Sequence, residues 1–117
     1  MDQRPAVPAD FRLMRIPGGF VGVNGPLYGR MQEGFLHLGF RVEERHLNAA
    51  KMCHGGMLMM VADLQLAIAA VVQSGVGPFL PTINLNVDFV APAHTGDWIQ
   101  GRTEVVKTTR SLTFAQG

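Results

Sequence analysis

Asp63 stands inside an otherwise apolar run, Met57 to Val72, that follows directly on His54-Gly55-Gly56. An unpaired carboxylate among apolar side chains costs on the order of several kcal/mol, so its presence there calls for a reason. Poorly solvated, a carboxylate is more basic than in water and can serve as a general base or a nucleophile. A glycine at a helix start offers the complementary chemistry. Its backbone N–H, helped by the helix dipole, stabilises negative charge on an attacked carbonyl oxygen, and no side chain obstructs the approach. Gly55 suits that position. Each residue also has a structural reading: Asp63 can reach a rim or join a structural network. His54, beside two glycines, suits a turn-fixing hydrogen bond better than a catalytic base. Asn48 reads as a turn residue and Thr82 as a threonine favoured at a strand start.

The elements that must position these groups follow from periodicity. Met57 to Val72 is rich in helix formers and meets no Gly or Pro before Gly75, which predicts one helix, apolar nearly all round and enclosed on most sides. Phe35 to Leu47 reads as a long strand with an exposed tail, and a loop carries Asn48 toward the His-Gly-Gly turn. Thr82 to Val90 alternates with period two, with Ile83, Leu85, Val87 and Phe89 on one face. Pro92 ends that strand, His94-Thr95-Gly96-Asp97 makes a turn, and further strands are predicted over Trp98–Lys107 and Ser111–Ala115. Residues 1–33, punctuated by Pro5, Pro8, Pro17 and Pro26, form a lead-in or flap with a short helix around Phe11 to Ile16. One helix and several antiparallel strands describe an α+β sheet wrapped around a helix. Its strand edges must still be paired, which predicts a dimer joined edge to edge.

Composition excludes several classes. A chain of 117 residues is one domain, and a net charge of +1 with 16% charged residues gives no basic stripe for nucleic acid. The single Cys53 excludes an internal disulfide and suits a reducing, cytoplasmic compartment, and no signal peptide is evident. Met57 to Val72 falls short of a membrane span of about 20 residues and carries Asp63 and Gln65 near its centre, so no membrane association is expected. His37, His46, His54, His94 and Cys53 have no recognised metal-ligand spacing, and neither metal nor cofactor is assigned. Cys53 as a nucleophile lacks any feature that would lower its pKa.

Asn48, His54-Gly55-Gly56, Asp63 nine residues after the histidine, and Thr82 together resemble the hotdog-fold acyl-CoA thioesterases of the phenylacetate-degradation type. Val90-Ala91-Pro92-Ala93 and Gly96-Asp97 extend the resemblance, which runs from about Phe35 to the C-terminus. It implies a hotdog domain over residues 34–117, although the family has a further strand beyond the position of Gly117. In the resembling enzymes an Asn and the N–H of the glycine after the histidine address the thioester carbonyl. The helix carboxylate activates water or attacks the carbonyl carbon, helped by a Ser or Thr hydroxyl. By position, the catalytic set is Asn48, Gly55, Asp63 and Thr82.

Substrate contact is expected from His54, Gly56 and Met60, the last because flexible Met can line an acyl pocket, although core packing is its default. Arg102, Lys107 and Arg110 read first as solvated surface charge and second as contacts for coenzyme A phosphates. If Gly55 opens the helix, eight residues separate it from Asp63, roughly 12 Å along the axis. Reacting groups must approach within about 3 Å, so the two would come from different subunits. The expectation is a homodimer or a homotetramer built as a dimer of dimers. Its activity would be hydrolysis of an aromatic or medium-chain acyl-CoA to free acid and coenzyme A. A non-catalytic acyl-CoA sensor on the same fold is the alternative, and a dehydratase would need a different Asp/His arrangement.

Overall fold

The structure, a computed structural model, describes residues 6–117. Its centre is the helix α2, Gly55–Ser74, laid across antiparallel strands. Both helix ends are set locally. The His54 side chain caps the first turn by accepting from the Gly56 N–H, and Gly75 closes the last turn at φ 65°, a left-handed conformation suited to glycine.

The sheet opposite α2 has the order β1 (Arg12–Leu13), β2 (Tyr28–Gln32), β3 (Phe35–Arg41) and β4 (Trp98–Gln100); β5 (Glu104–Thr108) and β6 (Thr113–Gln116) form a separate pair. The β2–β3 hairpin turns on Glu33 and Gly34, both at positive φ (52° and 84°), the conformation of a tight two-residue turn. Along β3, Leu36, Leu38 and Phe40 alternate inward onto the buried α2 stripe Met57, Val61, Gln65 and Ala69. Leu38 and Phe40 are fully buried, each contributing about 2–3 kcal/mol of apolar burial. On the opposite face Trp98 lies so close over Gly39 that a Cβ there would meet its ring at 2.4 Å. Phe11 packs edge-on against the same ring at 5.0 Å, and this ties the N-terminal segment to the sheet.

Several expectations are revised. The strand predicted over Phe35–Leu47 stops at Arg41, and a 3-10 turn, Glu44–His46, follows. The short helix expected near residues 11–16 is instead the two-residue β1, and the six-residue helix α1 lies at Gly19–Asn24. Residues 12–32, read as a lead-in, thus supply β1, α1 and β2. The run Trp98–Lys107 divides because two glutamines of α2 enter between β3 and residues 101–103. Gln65 accepts from the Leu38 N–H (2.7 Å) and donates to the Leu36 carbonyl (2.9 Å) and to Thr103 Oγ1 (2.9 Å). Gln73 accepts from the Leu36 N–H (3.0 Å) and donates to the Thr103 carbonyl (3.0 Å). Buried strand groups that leave the ladder need other partners, and these amides supply them.

Thr82–Val90 also differs. The segment forms no strand and pairs with none among the described residues, and of its apolar face Leu85 and Val87 are half-buried while Ile83 is 82% exposed. Alternation specifies which side chains share a face; it does not supply a hydrogen-bonding neighbour. For the same reason α2 is enclosed along one stripe only, and Met59 and Val72 are exposed. At twenty residues α2 is also long and apolar enough to cross a membrane, so the length argument against a span does not hold. Three of its polar side chains, Asp63, Gln65 and Gln73, are hydrogen-bonded within the fold.

Candidate active site

Two cavities of similar size are present, one along α2 and the other among residues 44–51 and 94–95. The first, about 460 Å³, is an apolar cleft walled by Met59, Met60 and Leu64 of α2 and by Leu85, with Asp63, Thr82 and Gly56 as its polar lining. Asp63 is half-buried rather than buried, because the cleft is open. Thr82 Oγ1 donates to Asp63 Oδ1, which joins residues nineteen positions apart into one unit. On the far side the cleft is completed by Phe20 and Val21 of α1. Sequence reasoning missed these two. Nothing in the periodicity of a six-residue helix signals a cleft, although its place between Pro17 and Pro26 marks a separate short element.

The second cavity, about 490 Å³, is lined by Glu44, Leu47, Asn48, Lys51, His94 and Thr95 and is largely polar. Asn48 Oδ1 accepts from the backbone N–H groups of Ala50 (2.9 Å) and Met52 (3.1 Å), and its own N–H donates to the Met52 carbonyl (2.7 Å). The side chain therefore shapes the loop from which it projects, and the expected turn role is present. Asn48 and Asp63 line different cavities of the chain.

The His-Gly-Gly turn links the Asn48 loop to α2. His54 Nδ1 accepts from the Gly56 N–H at 2.8 Å, and the His54 carbonyl accepts from Met57 (3.0 Å) and Leu58 (3.2 Å). Among the described residues the Gly55 N–H meets no acceptor, so it is the open donor of the first helical turn. The two glycines differ in what their neighbours tolerate. A Cβ at Gly56 would press on His54 Nδ1 at 2.9 Å, whereas one at Gly55 would make ordinary contact, 3.5 Å, with the Phe89 ring. Gly56 is required by the cap; among the described residues no contact requires a glycine at Gly55. His54 lines neither cavity.

His46 joins the surroundings together. Its Nδ1 accepts from the Glu43 N–H (3.0 Å), which makes Nε2 the donor to the Asn24 carbonyl (2.8 Å), and its own carbonyl accepts from the His54 N–H (2.7 Å). Burial, with the neighbouring Arg45 charge, holds its pKa below the usual histidine value. Cys53 is buried and unpaired, and burial pushes its thiol pKa up, away from nucleophilic reactivity. Among the described residues no group of three or more His, Cys, Asp or Glu side chains comes together to hold a metal ion.

An antiparallel sheet with one long central helix, and a carboxylate on that helix facing a cleft, define the hotdog class of thioesterase fold. Residues 50–117 match the thioesterase superfamily model, and the chain belongs to that family. It is 29% identical over 113 residues to a Pseudomonas aeruginosa protein named "Putative esterase PA0474", spanning 88% of this chain and 84% of that protein. Among solved structures it is similar to zebra fish thioesterase superfamily member 2, with 26% identity and a TM-score of 0.73 over 85% of this chain and 72% of that one. It is likewise similar to the Escherichia coli PaaI protein from the phenylacetic acid degradation operon. Identity there is 26% and the TM-score 0.59, over 74% of this chain and 70% of that one. Family membership supports thioester hydrolysis as the general chemistry.

Proposed function

We propose that the protein is an acyl-CoA thioesterase, hydrolysing an aromatic or medium-chain acyl thioester to the free acid and coenzyme A without metal or cofactor. The observation that carries this reading is the Thr82–Asp63 hydrogen bond inside an apolar cleft on the helix. Asp63 takes a proton from water as the water oxygen attacks the thioester carbon, or attacks that carbon itself to form an anhydride that water then hydrolyses to the free acid; Thr82 orients the carboxylate. The carbon–sulfur bond breaks and coenzyme A leaves as the thiol once protonated. Negative charge on the carbonyl oxygen is met by the Gly55 N–H and by the amide of Asn48, whose Oδ1 is committed to its own loop and whose Nδ2 is left to donate. Met60 and Gly56 contact the acyl group, and His54 holds the turn. Cys53, unpaired, supports a reducing, cytoplasmic setting.

The active unit in this reading is a homodimer, or a tetramer of two such dimers. Gly55 and Asp63 are separated by roughly 12 Å of helix, and Asn48 lines the other cavity. Asn48 and Gly55 of one copy would therefore work with Asp63 and Thr82 of the other. The unpaired Thr82–Val90 segment, with Ile83 82% and Val90 92% exposed, supports strand addition by a second copy.

Free-thiol release measured over a panel of aromatic and aliphatic acyl-CoAs tests the activity. Release by the wild-type protein is expected. A protein that binds non-hydrolysable thioether analogues without releasing thiol from any acyl-CoA would instead be an acyl-CoA-binding module.

A further inference from the structure

The far wall of the Asp63 cleft comes from α1, which is too short to be stable by itself. None of its residues is buried, and it has no side-chain cap at its N-terminus. Its C-terminal end is gripped instead. Arg45 donates to the carbonyls of Val23 (2.5 Å) and Gly25, and His46 Nε2 donates to that of Asn24 (2.8 Å). These are the carbonyls that a helix end leaves without partners, and cationic or N–H donors there also suit the dipole. Asn24 Nδ2 closes the turn on the Phe20 carbonyl at 2.7 Å. The two faces of α1 then diverge. Val21 packs onto the main core cluster, while Phe20, which also lines the cleft, remains 70% exposed.

A large aromatic ring held at the lip of an apolar cleft by contacts at the other end of its helix contributes little to folding. Its exposed apolar surface faces the cleft, where a ligand's apolar part would meet it. We propose that Phe20 is the residue that sets the size of the acyl group accepted. This rests on the acyl-CoA reading of the cleft and adds to it the source of selectivity. The reacting carbon is addressed by Asp63 and Thr82 on the α2 side, and the distal end of the acyl group meets α1. Selectivity is then carried by an element outside the His-Gly-Gly to Asp63 motif.

The test compares butanoyl-, octanoyl-, dodecanoyl- and phenylacetyl-CoA on the wild type, Phe20→Ala and Phe20→Trp. Val23→Ala serves as the control, a 73% exposed neighbour on α1 that does not line the cleft. Changing the size of an exposed side chain neither opens a core cavity nor overfills the core, so all three variants are expected to fold, as circular dichroism will verify. In Phe20→Ala the ratio of kcat/KM for dodecanoyl- over butanoyl-CoA rises about tenfold or more, the scale on which hydrophobic pockets discriminate acyl size. In Phe20→Trp it falls, and in Val23→Ala it stays at the wild-type value. Ratios that do not move in either Phe20 variant, or that move the same way in both, overturn the assignment.

Thioether analogues of the same panel, titrated by calorimetry, keep this result apart from the hydrolase reading. Analogue affinities that reorder as described without any thiol release preserve the role of Phe20 and remove hydrolysis. Thiol release with an unmoved size order does the reverse, and failure to bind any analogue removes both.

Discussion

The cavity along α2 and the cavity among residues 44–51 and 94–95 are nearly equal in volume, about 460 and 490 Å³, and opposite in character. One is walled by methionine, leucine and the α1 aromatic, with a single hydrogen-bonded carboxylate. The other gathers Glu44, Lys51, His94 and Asn48 around a compact loop. Size therefore does not distinguish them; lining does. An acyl chain gains from the first by losing water from apolar surface, whereas a polar ligand fits the second. Asn48 and Asp63 are only fifteen residues apart in sequence, yet the turn at His54 sends them to different cavities. In the proposed enzyme each chain thus carries two half-sites rather than one whole site.

The comparison breaks most directly at Asp63. Asp63→Asn keeps the shape of the apolar cleft and removes the base, so kcat falls about a hundredfold or more while affinity for a thioether analogue stays near wild type. Near-normal turnover by the folded variant would end the assignment of the base.

The next largest effect joins the two cavities. Neither Asp63→Asn nor Asn48→Ala alone is expected to support normal turnover, but in the proposed mixed dimer one site carries both lesions and the other neither. After equal mixing and subunit exchange, about half the dimers are mixed and one site in each is intact, which restores about a quarter of wild-type activity. Native mass spectrometry confirms the mixed species. Confirmed heterodimers without recovery would show that Asn48, Gly55 and Asp63 act within one chain.

Within the apolar cleft, Thr82→Ala removes the hydroxyl that orients Asp63 and lowers kcat about tenfold, the worth of one hydrogen bond to a charged group. A larger loss than that of Asp63→Asn on the same substrate would reverse the two roles.

The smallest effect falls on His46, which ties α1 on the cleft side to the 3-10 turn beside the polar cavity. Its folded-state pKa is lowered, first by burial, so below about pH 6.5 the unfolded chain takes up the proton before the folded one does. Its contribution to stability is complete at neutral pH and declines as pH falls from that value toward the folded-state pKa. Protonation would also place a proton on Nδ1, where the Glu43 N–H already points. A urea midpoint that drops between neutral and mildly acid pH in the wild type, and drops less in His46→Gln, checks this. Equal slopes in both proteins would remove His46 as the cause.

The sequence by itself determined the parts whose cause is local. The capped His54 start, the Gly75 stop and the uninterrupted run between them specify α2 through helix propensity and turn chemistry. Alternation of Leu36, Leu38 and Phe40 specifies the inner face of β3, and an isolated carboxylate in an apolar run marks Asp63 by residue type alone. Only the tertiary structure decided what depends on partners distant in the chain. Gln65 and Gln73 look like polar exceptions on an apolar helix until Leu36, Leu38 and Thr103 are seen to need their amides. Thr82 is an ordinary strand residue until the chain folds back onto α2 and brings its hydroxyl to Asp63, and Phe20 has no function until Arg45 and His46 hold α1 against the cleft. Periodicity encodes which way a side chain points relative to its own backbone, while hydrogen-bonding partners, cavity walls and free strand edges are properties of what the rest of the chain places opposite.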